Sequence, residues 1–420
     1  MRVLVIGGTQ FIGRATVAAL LERGHAVTVL NRGRTASPFG SIANLEHVRC
    51  DRWRDKEEFA AVVSSGQWSA IVDFLAFEPE DVLPMISGSC ATYIFISTDS
   101  VYMACSPAHY QRAGSGGLLE TSDAVHDPER ASTDEYGANK LATEAELRAA
   151  TQSGVLRQVL ALRLPDVIGP HENTGRLQRI LLRLLRGKKI GTQLCGVDGS
   201  GDTLPLGIVA AADVAAAVCA ALTGGDSSPA SAPSGGAERR TAGSFNAYHI
   251  CSSERPTWVG LVTMMAEELR RQGLDVPPVR WDAGRESGFV SVDCGALDHA
   301  AACRELHGWV PVDLPTRVRE SVAWWVDTMR AQAQGLAATD ESPPLLPEAG
   351  AEVEEETAVA EEEEEAVAEA EKEAPRDVAT SHDQGSAEAL REVLRARRVR
   401  RRVAQDSRTA GAGGAQGAAQ

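Results

Sequence analysis

The chain has 420 residues, 43% of them hydrophobic, enough for two to three domain-sized units with a buried core. Its formal charge of −16 is unevenly spread: sixteen acids face two bases in 340–377, eight arginines face four acids in 378–420, and residues 1–339 carry only −6. No apolar run reaches the roughly 18 residues of a membrane span, the eight cysteines form no CxxC pair, and no Cys/His set has metal-ligand spacing. A membrane protein, a secreted disulfide scaffold and a metal site are therefore not expected.

The opening residues, MRVLVIGGTQ, read as a buried strand running into a glycine turn, not as a secretory leader, so a cytoplasmic location is expected. Short β-rich runs follow at 26–30, 70–74 and 92–97, alternating with helix-period segments at 13–23, 56–64 and 78–86. Strands apolar on both faces, separated by helices, predict an α/β fold with a doubly wound parallel sheet covered on both sides. A helix over 132–150 and a strand over 155–164 extend it.

After Pro165 the pattern predicts a smaller C-terminal lobe with interleaved sheet elements: helices at 177–186, 209–222, 258–271 and 314–329, and a strand at 245–250. The expected division is 1–165, 166–335 and a low-complexity tail over 336–420, with 223–243 an irregular Gly/Ser/Pro-rich insertion. The Glu/Ala/Val-rich part of the tail cannot bury enough surface to offset chain entropy, and 387–403 could form a short basic helix.

Two constellations carry chemistry. Gly7, Gly8, Thr9, Gln10, Phe11, Ile12 and Gly13 link a first strand to a helix, where glycines permit a tight turn and let a pyrophosphate approach the helix N-terminus. The second strand ends in Asn31, Arg32, Gly33 and Arg34. An acid there would hold the ribose hydroxyls of NAD, whereas arginine accommodates a 2′-phosphate, so NADP is preferred to NAD. Asp51, after the next apolar segment, could accept from an adenine amino group or cap the following helix.

The second constellation is Thr98, at the carboxyl end of a strand, with Tyr136 and Lys140, which share a helix face at i, i+4. An ammonium beside a phenol favours the phenolate, and such a Tyr can move a hydroxyl proton. Ser97 is the neighbouring alternative hydroxyl. His171 could be a second acid/base or a solvated loop residue; Arg176 and Arg179 could meet a diphosphate or form a helix's polar face.

Together VLVIGGTQFIG, FISTDSVY, YGANK and LRLPDVIGP resemble the extended short-chain dehydrogenase/reductase family, its NAD-dependent epimerase/dehydratase group, over about 1–330. The resemblance implies a Rossmann domain, NAD or NADP, and a nucleotide-sugar substrate. It implies Tyr136 as acid/base, Lys140 on the nicotinamide ribose and Thr98 on the substrate oxygen. Asp73 and Leu75 match the segment flanking the cofactor, and Arg163 to Gly169 the stretch that begins the substrate pocket. Two positions depart from the pattern, Gln10 for the middle glycine and Met103 for the glycine after Val-Tyr. The GGTxFIG turn resembles a branch that includes the chloroplast stem-loop-binding proteins, some of which contact RNA.

The expected partners are a small-molecule substrate and a second copy of the chain. The mildly acidic globular part argues against nucleic acid except through the basic 387–403 segment. The competing readings are an RNA- or protein-binding scaffold and a cofactor-gated redox sensor.

Overall fold

A computed structural model describes residues 1–65, 68–87, 90–121, 126–193, 205–223, 243–286 and 295–334. Most of the 223–243 insertion and the whole tail, with its 387–403 segment, lie outside the described residues. Residues Met1–Pro344 group as one unit.

The first half alternates strand and helix. It runs β1 (Arg2–Ile6), α1 (Phe11–Glu22), β2 (Ala26–Asn31), β3 (Leu45–Arg49) and α2 (Lys56–Ser65). Then come β4 (Trp68–Asp73), α3 (Pro79–Ser87), β5 (Cys90–Thr98), α4 (Pro128–Thr133), α5 (Glu135–Gln152) and β6 (Gln158–Leu164). The second half holds β7 (Asp166–Ile168), α6 (Arg176–Leu185), β8 (Ile190–Gln193), β9 (Ile208–Ala210) and α7 (Ala211–Thr223). It ends with β10 (Ser244–His249), α8 (Trp258–Arg271), β11 (Trp281–Glu286), α9 (Ala300–Glu305) and α10 (Leu314–Ala333).

Seven strands form one parallel sheet in the order β10-β6-β5-β4-β1-β2-β3. The strand order reverses at β1, which leaves a crevice at the carboxyl ends of β1 and β4, where such sheets bind ligands. Strand periodicity explains the layers. Val3 and Val5 point to one core with Val17, Leu20 and Val214, while Leu4 and Ile6 point to another with Phe59, Met85 and Leu147. A third apolar cluster, centred on Leu181, Trp258, Met265 and Trp325, joins α6, α8 and α10. β10 and α7 from the second half instead return to the main sheet and its α1 side.

The helices begin where side-chain acceptors allow. Asp127 caps α4 through the amides of Glu129 and Arg130, Thr257 caps α8 through Gly260 N, and Asp313 caps α10 through Thr316 N.

Several elements differ from expectation, among them the following. The helix predicted over 132–150 is two helices, because Asp134 leaves helical geometry (φ −132°, ψ 83°) and serves as the N-cap position of α5. The helix predicted from 209 starts at Ala211, because 208–210 pair in parallel with β7. The β8–β11 pair was not predicted, since short strands carry little periodic signal and are set by their partner.

Candidate active site

A cleft of about 690 Å³ opens at the strand-order reversal, within the range of roughly 300–1,000 Å³ typical of ligand pockets. One wall is the turn from β1 into α1. Gly7 adopts φ +92°, a conformation that favours glycine. A Cβ on Gly13 would lie 2.0 Å from the Gly7 carbonyl oxygen, so the close packing of α1 against this turn requires glycine there too. Thr9, Gln10, Phe11 and Ile12 line the cleft with them. The first turn of α1 has no acidic residue, leaving the positive end of its dipole unopposed.

At the far end of this wall Asn31, Arg32, Gly33 and Arg34 all line the same cleft. Asn31 accepts from Gly33 N at 2.8 Å and donates to Thr9 Oγ1 at 3.4 Å, which ties the arginine-bearing turn to the glycine turn.

The opposite wall carries Ser97, Thr98, Tyr136 and Lys140. Gly137 makes their approach possible: a Cβ at that position would lie 1.9 Å from the Ser100 carbonyl oxygen. Thr98 donates to Asp99 Oδ1 at 3.4 Å and accepts from Ser100 N at 3.1 Å. Ser97, by contrast, donates to the buried Glu144 at 2.6 Å, and Glu144 also pairs with the buried Arg163. Of the two hydroxyls, Thr98 is the one that acts on the Tyr136 phenol, lowering its pKa, while Ser97 is committed to Glu144.

Tyr136 is 45% exposed into the cleft, yet its pKa is pushed up to about 12. Loss of water is the main cause and the Asp99 carboxylate adds to it, while Thr98 and Arg176 pull the other way. The expected acidification by Lys140 is not what this geometry produces. Lys140 is 2% exposed, and its ammonium donates to the carbonyl oxygens of Ala76 and Ile96, both at 2.7 Å. It also lies over the rings of Phe77 and Phe95. Burial lowers its pKa to about 8, opposed by Asp73, Asp81 and Glu144.

Arg176 lines the cleft and pairs with Asp166 at 2.6 Å. Arg179, one turn further along α6, is not among the lining residues. Neither are four other residues of the sequence reading: Gly8, Asp51, Asp73 and His171. Gly8 serves packing, since a Cβ would sit 2.7 Å from Val17 Cγ2. Asp51 accepts from the amides of Trp53 and Arg54, which precede α2, so it closes the turn before that helix and does not cap it. Asp73 is fully buried and accepts from Arg52, Tyr93 and Leu75 N. It therefore acts behind the wall, holding Leu75, which does line the cleft. His171 packs edge-on against Trp324, ring centres 4.8 Å apart.

Sequence reasoning missed Asp99, Asp134, Asn173 and Thr174, which also line the cleft. Asp99 and Asp134 stand beside the singled-out Thr98 and Tyr136, but Asn173 and Thr174 carried no motif. Outside the cleft, ligand atoms of Cys50, Asp55 and Glu58 lie within 4.8 Å of one another. Burial and the neighbouring carboxylates push the Cys50 thiol up to about 11. Among the described residues no helix is long and apolar enough to cross a membrane.

The family model described as NAD dependent epimerase/dehydratase family matches residues 3–232. The chain is similar to UDP-glucose 4-epimerase 3 of Oryza sativa subsp. japonica, 25% identical over 202 residues, covering 41% of this chain and 50% of that protein. The chain spans about half the length of the curated relatives it matches. Among solved structures, UDP-glucose 4-epimerase of Thermotoga maritima with UDP-glucose gives a TM-score of 0.56 at 21% identity, covering 78% of this chain and 100% of that one. The Thermus thermophilus UDP-glucose 4-epimerase with NAD gives 0.54 at 23% identity, covering 77% and 98%. Both are likenesses of fold.

Proposed function

Since the chain belongs to the NAD dependent epimerase/dehydratase family, we propose that it is an NAD(P)-dependent oxidoreductase acting on a hydroxyl-bearing substrate of the nucleotide-sugar class, with Tyr136 moving the hydroxyl proton. One observation carries this reading: Thr98, Tyr136 and Lys140 line the same cleft that the glycine turn lines.

The residues present fit a dinucleotide. The left-handed Gly7 and the acid-free N-terminus of α1 suit a pyrophosphate. Arg32 and Arg34, with no acid at the end of β2, suit a 2′-phosphate, and NADP is the proposed form. When bound, the nicotinamide group supplies a site that accepts and returns a hydride.

The chain's own residues handle the proton. At neutral pH Tyr136 holds its proton, so toward a carbonyl oxygen it acts as the donor. Thr98 donates to the same substrate oxygen and fixes its position. In the reverse direction Tyr136 must become a phenolate; the buried Lys140 ammonium is the positive charge the wall provides for that. Arg176, 42% exposed and on the cleft wall, offers a guanidinium to a substrate phosphate. The UDP-glucose and NAD in the two solved epimerases support the substrate class and a nicotinamide dinucleotide, while the choice of NADP rests on Arg32 and Arg34 alone.

Mass spectrometry of the gently purified protein tests the reading. A co-purifying dinucleotide together with a sugar nucleotide is expected. Absence of any dinucleotide response in equilibrium titrations with NADPH and NADH would overturn it.

A further inference from the structure

The geometry points to a strap across the mouth of the cleft, made by Gln10 and Asn173, that slows exchange of the dinucleotide. This inference rests on the dinucleotide reading above. Gln10 stands at the N-cap of α1, where the resembled pattern has glycine, and its side chain makes no capping bond. Its Oε1 instead accepts from Asn173 Nδ2 at 3.0 Å. Both residues line the cleft, one from the glycine turn and the other from the loop between β7 and α6. The bond therefore ties together, at the surface, two segments of the cleft lining that are remote in the chain. A glycine at position 10 has no side chain with which to make it.

The loop that presents Asn173 is built to hold it in place. His171 and Gly175 both have positive φ, 62° and 72°, and His171 packs on Trp324 of α10. Between them Glu172 is buried, and its carboxylate accepts from Thr174 and from Leu177 N. A loop fixed on both sides of Asn173 loses little further freedom when the bond to Gln10 forms. Glu172 thus acts as the post on which the strap is mounted. Because both amide side chains are at the surface, the bond can open and reclose without disturbing the core.

The strap acts on rates in both directions, so release and entry slow together and affinity changes less than either. The test loads the full chain with NADPH, or NADH if that binds more tightly. An excess of the oxidised form then chases it while nicotinamide fluorescence is followed by stopped flow. Gln10→Ala and Asn173→Ala should each release the reduced dinucleotide about two- to tenfold faster, the range set by one net hydrogen bond. The double variant should release it no faster than the quicker single one, because both lose the same bond. Gln10→Gly, well tolerated at a helix N-cap, should behave as Gln10→Ala does. Unchanged release in both single variants, or fully additive effects in the double variant, would overturn the strap while leaving dinucleotide binding intact. A wild-type chain that binds neither reduced form would instead overturn the dinucleotide reading, and the strap with it.

Discussion

The Lys140 ammonium lies 5.7 Å from the centre of the Tyr136 ring while donating to the carbonyl oxygens of Ala76 and Ile96. Two of its three N–H groups are thus engaged by backbone, and the phenol opposite is held above its ordinary pKa. The ligand-free chain should therefore show no Tyr136 ionisation below about pH 10. An ultraviolet difference titration of wild type against Tyr136→Phe checks this. A difference signal appearing near neutrality would mean that Lys140 alone suffices to acidify the phenol. In the same pair, Tyr136→Phe should lower turnover by about 10²–10⁴ and keep dinucleotide binding.

Arg32 lines the cleft at the end of β2, where Asn31 replaces an acid. Removing a charge-assisted contact to a 2′-phosphate should weaken NADP about tenfold or more and leave NAD nearly unchanged. Titrating Arg32→Ala with both dinucleotides decides it; an unaltered NADP/NAD ratio would assign the arginine to solvent.

Gly137 is the point at which α5 meets the segment after β5. A methyl group there would fall 1.9 Å from the Ser100 carbonyl oxygen, so Gly137→Ala must shift the first turn of α5 and carry Tyr136 away from Thr98. We expect a stability loss of about 1–3 kcal/mol by urea unfolding, with kcat reduced more than substrate affinity. Wild-type kcat in a folded Gly137→Ala protein would show that the approach of these two side chains is not needed.

His249 is completely buried, and its pKa is lowered to about 3, chiefly by burial and then by Arg163 of β6. Tyr102, Glu120 and His299 also face it. Unfolded, the same imidazole takes up a proton near its ordinary value, so between about pH 6.5 and 3 the unfolded chain binds the extra proton and stability falls with acidification. Glu120, whose pKa is raised by burial, works in the opposite direction. Comparison with His249→Gln isolates the imidazole: the variant should lose less unfolding free energy between pH 7 and 4 than wild type. Equal losses would place the acid sensitivity elsewhere.

Much of this molecule could be read from local pattern alone. Runs such as Val3–Leu4–Val5–Ile6 face both core layers because strand side chains alternate, and that alternation is written directly in the residues. The glycine turn and the Tyr136/Lys140 spacing are likewise local, set by helix and turn geometry over fewer than a dozen positions. The covering helix of the active site was legible too, but not its break at Asp134.

What the residues alone determined, then, was the alternation of strands and helices, the parallel sheet and the short motifs at its carboxyl edge. The tertiary structure decided where the polar groups of those motifs point. Asp73 turns to Arg52, Ser97 to Glu144, Lys140 to two carbonyls, and Gln10 to an asparagine 163 positions away. Periodicity specifies the face of an element on which a side chain stands. The partner it meets there depends on distances set only when remote segments pack, and for buried charges and amides that partner decides both ionisation and role.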